Sequence, residues 1–194
     1  TRKESSAASD VYKRQGKWLN VFGSSGSGKT HLSKILEKKI DKLQVVDAKL
    51  INNKIIDELN NLDCLIIDNY QNNIDEKLFY SILNQSKQLE NYILINSIPS
   101  LREFSLKLAD LQSRINSFVF IGIELPTDDL LKVIISKTLS DKQISLDPKI
   151  SQFIIKNVER SYEKMFKFLK DIDELSLSSG KSININLIKK VLNQ

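Results

Sequence analysis

An α/β fold, in which a parallel sheet is sandwiched by helices and followed by a small all-α C-terminal lid, is what this 194-residue sequence predicts. Three observations predict it. From Trp18 to Ile123, short apolar runs alternate with longer segments of helical period, the pattern of a parallel sheet whose strands are joined by crossover helices. After Pro126 the strands stop and amphipathic helices with recognisable starts take over. Between the first apolar run and the first helical segment lies Gly23-Ser24-Ser25-Gly26-Ser27-Gly28-Lys29-Thr30, which fits G-x-x-x-x-G-K-[ST] in the strand–loop–helix context that makes this pattern specific.

In chain order, residues 18–22 read as a strand and residues 29–40 as the helix after the loop, with Leu32, Ile35, Leu36 and Lys39 at helical spacing. Residues 43–46 form a second strand and 51–59 a short helix. Residues 64–67 (CLII) are apolar throughout and so make a strand buried on both faces. Residues 75–89 are helical, 92–95 a fourth strand, 106–111 part of a helical region and 118–123 the last strand. Beyond them, Thr127 before Asp128 and Asp129, and Asp147 before Pro148, mark helix starts. Ser161 caps a third helix that runs to about residue 177 and is ended by Gly180, and residues 187–192 form a short last one. The main domain is expected over residues 16–125 and the lid over 126–194.

Residues 1–15 stand apart. They have no initiating Met, are polar without period, and include DVYKRQ, which reads like a translated sequencing-library adapter. They are taken as a non-native, disordered segment and left out of the fold. Arg2, Lys3, Lys13 and Arg14 against Glu4 and Asp10 account for +2 of the formal charge of +5. The remaining balance is ordinary, and lysines 164, 167, 170, 181, 189 and 190 are interspersed with acids as on a solvated helix face, so direct DNA binding is not expected. No apolar run approaches the ~20 residues of a membrane span, and no charged-then-apolar stretch resembles a secretory signal. The chain reads as cytoplasmic. Cys64, the only cysteine, excludes an internal disulfide and a cysteine zinc site and reads as an inert core thiol. His31, the only histidine, leaves no basis for a Ser-His-Asp triad.

The loop motif is a phosphate cradle. Its glycines permit backbone shapes closed to other residues, so that successive N–H groups converge on phosphate oxygens at a helix N-terminus. Lys29 reaches the outer phosphates and the Thr30 hydroxyl is offered to Mg²⁺, so ADP or ATP with Mg²⁺ is the expected cofactor. His31 follows on the same helix beside the loop. Asp68 ends the buried third strand, where a rigidly delivered carboxylate serves the metal beside Thr30. Asn69 comes next, where hydrolysing nucleotidases of this type carry a carboxylate that orients or deprotonates water. An amide takes no proton, so nucleotide binding with weak intrinsic turnover is expected. Asn96 and Ser97 follow the fourth strand, where a polar side chain can touch the terminal phosphate or the water. Arg114, before the last strand, is placed to project toward a nucleotide held by a neighbouring subunit.

Residues 23–32 (GSSGSGKTHL) resemble the DnaA-related branch of the AAA+ P-loop NTPases, in which the loop runs into Thr-His-Leu. Leu65-Ile66-Ile67-Asp68-Asn69 is similar to the Walker B segment of the Hda type, Ile95-Asn96-Ser97-Ile98-Pro99 to the sensor-1 stretch, and Leu111-Gln112-Ser113-Arg114 to the arginine-finger box. The resemblance implies an AAA+ domain with a helical lid and a regulator of bacterial replication initiation. Such a protein binds nucleotide, associates with the DNA-loaded sliding clamp, and presents an arginine in trans to ATP-bound DnaA so that DnaA hydrolyses its ATP. Arg114 takes that role, Asn69 and Asn96 stand in the hydrolysis site, and homo-oligomers are allowed. The chain also ends without the helix-turn-helix domain of an initiator.

Two positions depart from the pattern. Where the lid's third helix offers a sensor-2 arginine this chain has Glu163, with Lys164 beside it as the substitute phosphate contact. The clamp-binding peptide of the family lies near an N-terminus that this chain lacks. Two alternatives stay open: the ATPase domain of a DnaA-type initiator, and a helicase-loader-like AAA+ ATPase.

Overall fold

A computed structural model describes residues 16–144 and 146–192; the expectation for residues 1–15 lies outside them. The described chain divides into two compact units, one reaching to Gly23 and resuming from Gly28 to Ile123, the other formed by Ser24–Ser27 and the chain from Glu124 onward.

The first unit is built on five parallel strands: β1 Trp18–Gly23, β2 Leu43–Asp47, β3 Cys64–Tyr70, β4 Tyr92–Ser97 and β5 Val119–Ile123, in the order β2-β3-β4-β1-β5. Between them come α1 Lys29–Glu37, α2 Lys54–Glu58, α3 Glu76–Gln88 and α4 Ala109–Ile115. Successive strand residues point to opposite faces, and both faces are apolar. Leu65, Ile67, Ile93 and Ile95 join Trp18, Phe79, Ile82, Leu83 and Leu111 in one core. Val21, Cys64, Ile66 and Leu94 form the other, against Leu36 of α1. Burying both faces of β3 removes most of its apolar surface from water at about 25 cal/mol per Å². That is why an unbroken apolar run, rather than an alternating one, marks it in sequence.

β3 and β4 run on to Tyr70 and Ser97, past the expected 67 and 95, and three helices of this unit also differ from the sequence expectation. The first helix stops at Glu37 instead of residue 40: Lys39 N bonds the Leu36 carbonyl three residues back, the tightened turn of a helix end. Its expected apolar stripe is also rotated. Leu32 and Ile35 are more than a third exposed, and the residue fully buried is Ser33. The helix expected around 106–111 begins only at Ala109, because the Glu76 carboxylate accepts from the backbone N–H groups of Lys107 and Leu108 and holds them outside the helix. Between β2 and β3 the helix shrinks to α2, flanked by the 3-10 turns Ala48–Leu50 and Leu59–Asn61.

The second unit contains α5 Asp128–Ser140, α6 Pro148–Asn157, α7 Tyr162–Ser179 and α8 Ile185–Leu192. Each of the first three starts on an expected cap: Thr127 Oγ1 accepts from Leu130 N, Asp147 Oδ1 from Lys149 N, and Ser161 Oγ from Lys164 N. Gly180 ends α7 at φ +63, a backbone that glycine adopts without cost. Leu131, Ile135, Ile154, Met165, Leu169, Ile172 and Ile188 form its core. Lys142 pairs with the nearly buried Asp173 at its edge. No helix among the described residues is long and apolar enough to cross a membrane.

Candidate nucleotide-binding site

The loop emerges from β1, whose last residue, Gly23, donates its N–H to Ile98 O at 3.1 Å. Ser27 N closes a turn on Ser24 O at 3.3 Å. Gly28 is the N-cap of α1 at φ +94 and supplies no side-chain cap. The first N–H groups of a helix have no intrahelical partner, so α1 presents donors and the positive end of its dipole where the motif places phosphate. A Cβ on Gly28 would meet nothing within 4 Å; the backbone angle, not crowding, demands glycine there, and the space beside it is open. A Cβ on Gly26, at φ +77, would come within 2.9 Å of Glu163 N at the start of α7.

Lys29 Nζ donates to Gly23 O at 2.7 Å. Partial burial pulls its pKa below the ordinary lysine value, against the opposing pull of the Asp68 charge. Asp68 is almost fully buried at the end of β3, and its Oδ1 accepts from Asn96 Nδ2 at 2.9 Å. The same amide donates to Ser33 Oγ at 2.8 Å, and Ser33 Oγ donates in turn to Lys29 O at 3.2 Å. Asn96 Oδ1 is buried with no protein partner, an acceptor that a buried polar site normally satisfies with water or ligand. Asn20 of β1 braces this end of the sheet. Its Nδ2 donates to Ile95 O and Ser97 Oγ, and its Oδ1 accepts from Leu101 N.

The structure thus brings Lys29, Ser33, Asp68 and Asn96 together, and Thr30 lies exposed on the first turn of α1. Within the same unit, His31, Asn69 and Arg114 do not join that network. His31 is exposed. Lys164 is exposed, its backbone N–H on the Ser161 cap. Asn69 is exposed and turned to the other flank of β3, donating to Asp47 Oδ2 at 2.8 Å. Arg114 sits half-buried on α4, its guanidinium donating to Asn84 Oδ1 at 2.8 Å and lying 6.0 Å from the Tyr80 ring centroid. Ser33, Asn20, Asp47 and Asn84 escaped the sequence reading. The only hint of Ser33 was its position one turn after Lys29, and the only hint of Asn20 was an amide inside an apolar strand.

An open five-stranded parallel sheet with a glycine-rich loop between β1 and α1, and a buried acid near the C-terminal end of β3, is the fold of P-loop NTPase domains of the AAA+ class. The family model described as "Hda, lid domain" matches residues 128–192. The chromosomal replication initiator protein DnaA of Chlorobaculum tepidum is 27% identical to this chain over 76% of it and 34% of that protein. The fold is shared with domain III of the Thermotoga maritima replication initiation protein DnaA, at a TM-score of 0.76 and 18% identity over 98% of this chain and 90% of that one. It is also shared with a replication initiator DnaA bound to AMPPCP and single-stranded DNA, at a TM-score of 0.67 and 20% identity over 84% of this chain and 58% of that one. The chain spans less than half the length of the DnaA relatives it matches. Residues 128–192 thus match the Hda lid family, and the chain as a whole is similar to DnaA-related AAA+ proteins.

Proposed function

We propose that this protein is a nucleotide-binding regulator of bacterial chromosomal replication initiation, acting in the cytoplasm, which promotes ATP hydrolysis by DnaA through Arg114 supplied in trans. Residues 23–30 hold the phosphates of ADP or ATP, with Lys29 on the outer ones, and His31 and Lys164 are peripheral contacts. Thr30 and Asp68 are the protein's oxygens for Mg²⁺. No group of three metal-ligating side chains exists among the described residues, which suits a cation that takes most of its ligands from water and phosphate. When bound, the metal supplies charge neutralisation. The protein's part is to orient Asp68 through Asn96 and to hold Lys29 beside the loop, its Nζ on the Gly23 carbonyl.

The observation that carries the regulatory reading is an asymmetry between two ends of the α/β unit. The chain's own hydrolysis position holds an amide, Asn69, bonded away to β2, while an arginine is propped on α4 by Asn84 and Tyr80. A guanidinium is fixed in charge and forks onto phosphate oxygens, and such a group supplied by a partner accelerates phosphoryl transfer by about 10³ or more. The expected result is that Arg114→Ala abolishes stimulation of DnaA hydrolysis and leaves ADP affinity intact. Unchanged stimulation by that variant would remove the role. A native chain that carries the family's N-terminal peptide is also expected to pull down loaded sliding clamp together with ATP-bound DnaA.

A further inference from the structure

Ser33 is the one residue of α1 that is fully buried, a hydroxyl on a helix face where an aliphatic side chain would ordinarily pack. It stands one turn after Lys29, and its Oγ donates back to Lys29 O at 3.2 Å, the bond that a serine inside a helix makes to the carbonyl four residues before it. A hydroxyl has one hydrogen. With that hydrogen committed to Lys29 O, the Ser33 oxygen meets other groups only as an acceptor.

What meets it is the Asn96 amide. On β4 Asn96 alternates with Ile93 and Ile95 of the larger core and shares the parity of Leu94, so its side chain enters the sheet face against which α1 packs. Asn96 Nδ2 lies 2.8 Å from Ser33 Oγ and 2.9 Å from Asp68 Oδ1. Both neighbours are acceptors, one because its hydrogen is used and the other because it is a carboxylate. An amide nitrogen has two hydrogens, and here each has a taker. Turned over, the amide would set its oxygen against two acceptors. Its surroundings thus decide which way Asn96 faces, and its Oδ1 is the group left over, buried and with no protein partner.

We propose that Ser33 is a positioning residue that sets the nucleotide specificity of the site: it helps turn both N–H groups of Asn96 inward, so that Asn96 has no donor to give the terminal phosphate of ATP. The inference rests on the nucleotide-binding reading and deepens it. The oxygen that Asn96 keeps unpartnered accepts from water but gives nothing to a phosphate oxygen, itself an acceptor. ATP therefore gains no hydrogen bond from this side chain that ADP lacks, and the side chain serves to hold Asp68. Loss of the Ser33 hydroxyl strands one Asn96 N–H, a buried donor that recovers its cost by turning to a phosphate oxygen.

The test compares ATP and ADP affinities, by titration calorimetry with Mg²⁺ present, in the whole chain, in Ser33→Ala and in Ser33→Ala/Asn96→Ala, with Lys29→Ala as the binding control. Ser33→Ala is expected to raise the ratio of ATP to ADP affinity about fivefold, the order that one hydrogen bond contributes. Removing the amide as well returns the ratio to that of the parent, because the gain runs through Asn96 and the two residues are in contact. An unchanged ratio in Ser33→Ala, or a double variant that keeps the gain, overturns the inference.

The orientation itself is read without nucleotide from the Asn96 side-chain amide pair in a ¹⁵N-labelled sample. One of its two protons is expected to move upfield in Ser33→Ala, as the N–H that loses its acceptor, while the other stays on Asp68. A pair that does not respond overturns the role of Ser33 and leaves the nucleotide reading standing. A parent chain that binds neither nucleotide better than Lys29→Ala does removes the nucleotide reading, and the specificity role with it.

Discussion

The two units of this chain solve opposite problems. Among the described residues, eight buried polar residues of the α/β unit are set among its apolar side chains, from Asn20 and Ser33 to Asp68 and Asn96, whereas the helical unit buries one, Asp173. Each of those groups loses water on burial and must recover a partner inside. In the α/β unit most recover one from each other or from nearby backbone: Asn20 on Ile95, Ser97 and Leu101, Asn91 on the Leu59 carbonyl, Asn96 on Ser33 and Asp68, while Ser86 Oγ and Asn96 Oδ1 have no protein partner. The helical unit relies on aliphatic packing and side-chain caps.

The sharpest test of that contrast lies in the helical unit. Ile172 is fully buried in its core, and Ile172→Ala is expected to destabilise it by about 3 kcal/mol through lost transfer energy and the cavity left behind, measured as an earlier urea transition. A loss below about 1 kcal/mol would mean that packing is not what holds this unit. Next comes Lys29→Ala, expected to weaken ADP binding on the order of 100-fold, since a charged donor to phosphate is lost; titration calorimetry reads it, and parent-like affinity would sink the cradle. The smallest expected effect is Asn20→Ala. It leaves the Leu101 N–H and the end of β4 without partners and should cost about 2 kcal/mol, read by thermal unfolding. Parent-like stability there would show the buried polar network of the α/β unit to be idle.

The strands and most helices of both units were legible because their signals are local. An apolar run four or more residues long can be buried only as a sheet interior here, and Thr127, Asp147, Ser161 and Gly180 act within one turn of where they stand. The P-loop is likewise written in eight consecutive residues. What stayed hidden depends on partners far along the chain. Glu76 delays α4 from 31 residues away, Asn96 reaches Ser33 across 63, and Asp47 meets Asn69 across 22. Strand register decides such pairs, and one sequence does not print register. The rotated face of α1 belongs with them: periodicity favoured Leu32 and Ile35 for burial, and the Ser33–Asn96 bond won.

Cys64 gives the sheet a built-in clock. It is the only cysteine of the chain, it is buried on β3, and burial, with the Asp63 charge adding to it, pushes its thiol up to about 11. Alkylating reagents attack the thiolate, so at neutral pH a maleimide finds almost nothing to react with until the strand is uncovered. The rate of labelling then counts how often β3 opens, and bound nucleotide should slow that count without any engineered probe.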